Sequence, residues 1–472
     1  MSKAKRLHPA AVIEILIKNI SRLIKIIIGP FVVIASSPLS KKWLLVTGLI
    51  GLLLYVIVSV LSWLRFHYTV HNDELRIEQG IFSRHKTYIP LERIQSVQIS
   101  AGIVQRIFAL VKLEVQTAGG SSQAEATLSA ISKKEASRLQ NILQLSVITP
   151  DSSAVEAYQY QEKNLGIKNL IIAATTSNGI GVVLLGGLAL LSQVNQYIPD
   201  EDIYTRIGNY LVSFAGQPGL IYLLAVFLLF LFAWLLSIIG TVISIGGFSI
   251  SRLEDRLLVE RGLIEKRQIS IPLHRIQAVK VSTGIIRQPF GLAAIHVISA
   301  GHGDKGSNET LIFPLLTSKE LFDFLHTFLP EYSLEKSYIG LSRAARNRYR
   351  MILTIPTLLL VLPIVVFLKY GFLALFLPAL SFLWGLRQFE DAGWNITNGQ
   401  LSIRYRTLGL KTFLLRGHKV QTISLEQNPW QRRKNLKALS VMIASKVGGT
   451  KIGIKGIDEK DGDKILTWFR GQ

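Results

Sequence analysis

Long apolar runs alternate along the chain with polar stretches in which hydrophobic residues recur at every second position. Residues 43–64 carry no charge and are long enough to cross a hydrocarbon core of ~30 Å as a helix. Residues 219–246 form a longer uncharged run, and residues 170–194 form a third, diluted by glycine and small polar residues. Residues 351–368 and 370–386, separated by Lys369, each lie near the lower limit of spanning length and together predict a tight helical hairpin. Pro356, Pro363 and Pro378 would break a soluble helix but are tolerated in packed membrane helices. Residues 11–37 contain Glu14, Lys18, Arg22 and Lys25. Their first half predicts an amphipathic helix in the interface, leading into a short or tilted sixth span.

The polar stretches repeat one another. IPLERIQSVQIS, starting at Ile89, returns as IPLHRIQAVKVS, starting at Ile271, each followed by a glycine and an apolar pair. An offset of 182 aligns Phe66–Gly120 with Phe248–His302 without a gap, matching Asp73 with Asp255, Gly80 with Gly262, Arg93 with Arg275, Gln95 with Gln277 and Phe108 with Phe290. A more divergent third copy lies at an offset of 326, where Lys419–Ile423 (KVQTI) replaces RIQSV and Asn428-Pro429-Trp430 replaces the glycine and its apolar pair.

Within the first copy, Tyr68 and Val70 predict a strand, residues 71–74 a turn, and Leu75 and Ile77 a second strand ended by Gly80. Residues 84–89 predict a third strand before Pro90, followed by strands through Ile94, Val97 and Ile99, over 111–117, and around 124–128. Ser132 and Glu135 predict a capping box opening a helix; Thr317 and Glu320 repeat it, and the third copy has Asp458 and Asp461. Leu139, Ile142 and Leu143, and Leu321, Phe322 and Leu325, are predicted to bury one face of these helices.

An apolar hairpin, then Y-x-[IV]-x-x-x-x-L-x-[IV]-x-x-G, then IP-x-x-[RK]-[IV]-Q-x-[IV], then a distal Ala-Gly resembles the bacterial pleckstrin-homology domains of the YdbS/YdbT-like group. Three such domains with six spans resemble its multipass YdbT-like members, over essentially the whole chain from about residue 8. The resemblance implies an α+β membrane protein in which each hairpin precedes a cytoplasmic PH-like β-barrel, partly open and plugged by a C-terminal helix. The expected organisation is hairpin 1 in residues 1–64, PH-like domain 1 in 65–168, and hairpin 2 in 169–246 with an external loop at 193–218. PH-like domain 2 follows in 247–350, hairpin 3 in 351–386 and a divergent domain 3 in 387–472. The resemblance supplies no established catalytic activity and points to the bacterial plasma membrane, with a role in tolerating envelope stress or membrane-active peptides.

Charge sets the expected orientation. The net charge of +22 would suggest nucleic acid in a soluble protein, but with 49% hydrophobic residues the chain is no ordinary soluble protein. Most of the 53 Lys and Arg lie in the three polar stretches, whereas residues 193–218 hold only Arg206 against Asp200, Glu201 and Asp202. The positive-inside rule therefore predicts cytoplasmic PH-like domains and termini. The basic MSKAKR start is also inside, so the parity requires residues 11–37 to span; Lys41 and Lys42 fall on the outer side, a small departure.

Candidate chemistry is sparse. There is no cysteine, which removes disulfides and thiolate chemistry. The nine histidines show no metal-ligand spacing, and no phosphate-loop or dinucleotide fingerprint is present. Gly301-His302-Gly303-Asp304 reads as a solvated hairpin turn. No catalytic residue, metal or cofactor is expected, and nucleic acid is not an expected partner. The candidates for contact with a ligand, lipid headgroup or protein are Arg93, Gln95, Arg275 and Gln277 of the shared signature, which folding alone also explains. The basic hairpins add Arg84, Lys86, Lys266 and Arg267, with Lys411 at the comparable place in the third copy. The leading expectation is a non-enzymatic membrane protein presenting three PH-like domains to lipid or protein. The alternative is a lipid or small-molecule transport component using the six-helix bundle.

Overall fold

The computed structural model describes residues 5–17, 41–71, 73–81, 83–117, 125–145, 161–177, 218–300, 307–367, 371–445 and 448–471. In the first repeat, helix α1 (Lys41–Leu64) leads into a three-stranded antiparallel sheet of β1 (His67–His71), β2 (Glu74–Gln79) and β3 (His85–Pro90). A single 3-10 turn, Leu91–Arg93, turns the corner into β4 (Ile94–Ala101). Short helix α2 (Ile103–Ile107) connects β4 to β5 (Leu110–Thr117), then come β6 (Ala126–Ser132) and helix α3 (Lys133–Leu145). The two sheets fold over one core containing Leu75, Ile77, Ile94, Val97, Leu113 and Leu128, with α3 adding Leu139 and Leu143. Strand alternation buries Leu75 with Ile77, and a register shift between Ile94 and Ser96 brings Ile94 and Val97 to the same core.

The second repeat runs through β7 (Gln161–Asn164), α4 (Ile167–Thr175), α5 (Pro218–Ile245), β8 (Ser249–Arg252), β9 (Arg256–Arg261), β10 (Lys266–Pro272), β11 (Ile276–Thr283), β12 (Leu292–Ser299), β13 (Glu309–Thr317) and α6 (Ser318–Phe328). The third runs through β14 (Ile339–Gly340), α7 (Arg346–Phe367), α8 (Phe376–Asp391), β15 (Gly393–Thr397), β16 (Gln400–Arg406), β17 (Leu410–Arg416), β18 (Val420–Glu426), α9 (Pro429–Arg432), β19 (Leu436–Ile443), β20 (Thr450–Asp458) and α10 (Glu459–Arg470). Thr317 and Glu320 form the expected capping box, and Asp458 caps α10 through the Lys460 amide. One expectation is corrected: Phe322 is exposed, and α6 buries Leu321, Phe324, Leu325 and Phe328 instead. Their i, i+3, i+4, i+7 spacing makes the continuous stripe, which Phe322 falls outside.

Each repeat starts before its hairpin and resumes beside the same strand after it. The Lys5 and Tyr68 amides and carbonyls bond reciprocally at 3.0 Å; β7 pairs with β8, and β14 with β15. The chain thus leaves a sheet, passes through apolar helix, and returns to the adjacent position. Among the described residues three helices are long and apolar enough to cross a membrane: Phe227–Ile245, Arg343–Phe367 and Gly371–Asp391; Leu49–Leu64 is a shorter apolar helix. Most of the spans expected in residues 11–37 and 170–194, the loop at 193–218 and the turn at 301–304 lie outside the described residues. Residues 11–17 are helical and run antiparallel along α1, with Trp63 Nε1 donating to the Leu7 carbonyl (3.0 Å) and Tyr55 Oη to the Leu16 carbonyl (2.6 Å).

Helices α7 and α8 pack closely because small residues meet backbone. A Cβ at Gly385 would lie 2.4 Å from the Tyr349 carbonyl oxygen, and the Thr357 and Ser381 hydroxyls bond across the hairpin at 2.9 Å. Gly385→Val is expected to separate α7 from α8 and cost roughly 1–3 kcal/mol, read as a lower unfolding temperature by tryptophan fluorescence in detergent.

The sheets do not stop at the repeat boundary. β4 of the first repeat pairs with β10 of the second, giving a seven-stranded sheet in the order β6-β5-β4-β10-β9-β8-β7. β11 pairs with β17 in the same way, giving β13-β12-β11-β17-β16-β15-β14. Each repeat thus contributes its last three strands to one sheet and its first strands to another, where a separate barrel per repeat was expected. In the second seam the cores also cross over. Val279 and Val281 of β11 enter the second core with Leu414 of β17, while Ala278 and Ile298 enter the third.

Candidate membrane-contact site

The antiparallel seams place two kinds of turn side by side at the ends of the spanning helices. Ala101 lies opposite Lys266, so α2, which follows β4, sits beside the β9–β10 turn. Arg106 Nη1 donates to the Leu263 carbonyl at 2.8 Å, and the Leu263 amide donates to the Ile243 carbonyl at 2.9 Å. The first seam tip is therefore fixed level with the last turn of α5. Thr283 lies opposite Leu410, which places residues 284–291 beside the β16–β17 turn. There the Thr407 carbonyl accepts from Trp384 Nε1 (3.1 Å) and Gln388 Nε2 (3.2 Å) near the end of α8, and Arg406 bridges Asp391 to Gln288.

At this level large apolar side chains point outward, beside exposed Arg106 in the first tip and Arg432, Arg433 and Lys434 in the third. Ile103, Ile107 (73% exposed) and Phe108 stand beside Leu263 and Ile264 at the first seam tip. Ile285, Ile286 and Phe290 (69%) stand beside Leu408 at the second, and Trp430 (76%) occupies the corresponding place in the third repeat. The glycine with its apolar pair is thus the start of a tip. Gly102 is the N-cap of α2, where a Cβ would lie 2.8 Å from Gln105 Oε1. In the third repeat an Asn428–Gln431 capping box shapes the tip instead.

Each of the first two tips is also tied to the helix that begins its own hairpin. Gln105 Nε2 donates to Glu14 Oε2 at 2.6 Å. Its repeat equivalent, Arg287, donates through Nε to Thr176 Oγ1 (2.9 Å), through Nη1 to the Pro314 carbonyl (3.0 Å) and through Nη2 to the Ala173 carbonyl (3.0 Å). Burial holds the Arg287 guanidinium below its ordinary pKa. Beside it, a cleft of about 540 Å³ is lined by Thr241 and Ile245 of α5, Lys280, Arg287, His296 and Lys411. Lys280 pairs with Glu309 (Nζ to Oε1, 2.8 Å). Burial, and then the charge of Lys280, lower the pKa of Lys411. Neither Arg287 nor the tip residues stood out as functional in the sequence. A lone arginine inside the apolar Ile285–Phe290 segment was the available signal.

The structure separates the sequence-derived candidates by height. Arg84, Lys86, Lys266 and Arg267 lie at the start of β3 and β10, on the side of the tips; Lys86 pairs with Glu78 (3.2 Å) and Arg267 with Glu265 (2.9 Å). Arg93 is exposed and Arg275 half-buried, both in the 3-10 corner at the other end of these six- and seven-residue strands, roughly 20 Å away. Gln277 Nε2 donates to the Arg275 carbonyl at 3.2 Å, and burial lowers the Arg275 pKa. Gln95 lies in β4, with its side chain outside the described set. Lys419, at the same repeat position as Arg93 and Arg275, donates to the His274 carbonyl at 2.5 Å across the second seam. Among the described residues no contact brings the two groups of candidates into one site.

Paired sheets carried on apolar hairpins, with a capping helix per repeat, define a membrane protein of repeated PH domains. The chain belongs to the bacterial PH domain family, whose model matches residues 23–147, 170–330 and 352–472. It is similar to the UPF0699 transmembrane protein YdbT of Bacillus subtilis (strain 168), at 35% identity over 490 residues covering 99% of this chain and 98% of the relative.

Proposed function

We propose that the protein is a non-enzymatic scaffold of the bacterial plasma membrane whose three PH domains lie on the inner leaflet through their apolar tips. The observation that carries this reading is the recurrence of exposed Ile103, Ile107, Ile285, Ile286, Phe290 and Trp430 at the level where spanning helices end. Inserted into the interface, each such side chain contributes on the order of 1 kcal/mol, and tryptophan favours that depth. Arg84, Lys266 and Arg267 then meet anionic headgroups, which attract each cation with about 1 kcal/mol near the surface. Arg93 and Arg275 face the cytoplasm, where they serve protein contact. A scaffold seated at the depth where membrane-active peptides insert is placed to respond to them.

Parity supports six spans. Lys5 and Tyr68 share a sheet, so a chain that crosses once through α1 must cross back within residues 6–66. The same holds between β7 and β8 around α5. A periplasm-active reporter fused after Gln472 is expected to stay silent; activity there would reverse the orientation.

Because the chain lacks cysteine, single cysteines at Ile107, Ile286 and Trp430 can carry polarity-sensitive fluorophores in reconstituted bilayers. These probes are expected to be quenched by lipids bearing a quencher near the headgroup, whereas a probe at Glu92, beside the distal corner, is not. Equal solvent exposure at all four positions would reject membrane seating.

A further inference from the structure

The two seams are one interaction used twice. Ala101 faces Lys266 in the first and Thr283 faces Leu410 in the second. On the repeat alignment these are the same pair of positions, so register is conserved although the side chains differ. Such a seam has a donor half, β4 or β11 with its tip, and an acceptor half, β10 or β17 with its turn. Within one chain, each end is left with half a seam. β18 pairs only with β19, and β3 only with β2, among the described residues.

We infer that a second copy of this chain completes the pattern, with β18 of one copy pairing antiparallel with β3 of the next in the register of the internal seams. That register sets Glu426 opposite His85, Leu425 opposite Lys86, Ser424 opposite Thr87 and Ile423 opposite Tyr88. The chemistry of the ends supports it. Arg432 occupies the repeat position of Arg106, which binds the Leu263 carbonyl of the following repeat; the equivalent acceptor for Arg432 is Ile81 of the next copy. Glu426 meets the basic start of β3. The exposed Trp430 sits where α2 abuts the neighbouring turn in the first seam.

Charged residues on an edge strand often serve to prevent pairing. Here they do not, because Lys266, Arg267 and Lys411 occupy the same part of the acceptor strand and are paired in the internal seams. The contact is heterologous, donor to acceptor, so copies add head to tail. Every internal repeat step already carries a membrane hairpin with it, so the same step between copies keeps both in one bilayer.

The test uses full-length protein in native membranes. Cysteine pairs at Ser424/Thr87 and Ile423/Tyr88 are oxidised; adjacent pairs alternate between the hydrogen-bonded and the closer non-hydrogen-bonded geometry. A chain carrying both cysteines of a pair is expected to give a ladder of dimers, trimers and longer products. Two single-cysteine chains mixed together give a dimer only, and either single variant alone gives none. Moving the partner cysteine from Thr87 to Ile89 abolishes linking if the register is right. Absence of product in the mixture, a dimer from the Ser424→Cys chain alone, or capture of a different protein would each overturn the inference. The readout is independent of tip depth, so a failure here and a failure of membrane seating are separable.

Discussion

Replacing Phe313 with alanine is expected to lower stability by about 3–5 kcal/mol. Phe313 is fully buried at the centre of the second core, edge-on to Phe248 (centroids 5.6 Å) and beside Phe324 (5.4 Å), with Lys163 of β7 5.6 Å from its ring centroid. Its loss leaves a cavity bounded by β8, β13 and α6, elements too rigidly paired to collapse into it. The second repeat supplies strands to both seven-stranded sheets, so the loss is felt in its neighbours as well. The check is the urea midpoint of the detergent-solubilised protein against Phe322→Ala, which removes an exposed ring and should cost under about 0.5 kcal/mol. Equal losses for the two variants would refute the assigned packing.

Arg287→Ala is expected to detach the second tip from its hairpin at a cost of about 2–4 kcal/mol, since it strands buried acceptors in a poorly hydrated site. Three acceptors on two elements converge on one guanidinium: Thr176 Oγ1 and the Ala173 carbonyl at the end of α4, and the Pro314 carbonyl of β13. Lysine keeps the charge but has no planar fork to reach all three, so Arg287→Lys should restore only part of the loss. A fluorophore at Ile286 should move toward water in the alanine variant, while one at Trp430 should not. An unmoved Ile286 probe would show that the tip is held by something other than Arg287.

The strands were legible because each has one face in a core. Leu75 and Ile77 alternate with their polar neighbours, as do Leu257 and Val259 in the second copy, and Pro90 and Pro272 end their strands at the same corner. The Thr317–Glu320 capping box was legible because its partners lie three residues apart, whereas Asp458 caps α10 through the Lys460 amide instead of the expected pairing with Asp461. Phe322 was misjudged because one exposed aromatic on a short helix is indistinguishable by composition from a buried one. The apolar pairs after Gly102 and Gly284 were visible as a pattern, but their meaning depends on the height of the tip relative to α5 and α8, which no local window contains. Arg93 and Arg275 stood out by identity between copies, while Arg287 and Gln105 differ between copies and still do the same work through different partners.

The sequence by itself determined the repeat, the alternation within it, the family and the apolar hairpins, since all of these rest on residues near one another or on copies of one motif. Only the tertiary structure decided that the repeats share their sheets, because a backbone ladder between β4 and β10 or β11 and β17 uses amides and carbonyls that every residue type except proline supplies. That leaves no mark in side-chain composition, yet the ladder sets the first two tips level with the ends of α5 and α8 and, among the described residues, leaves β3 and β18 each with one unpaired edge.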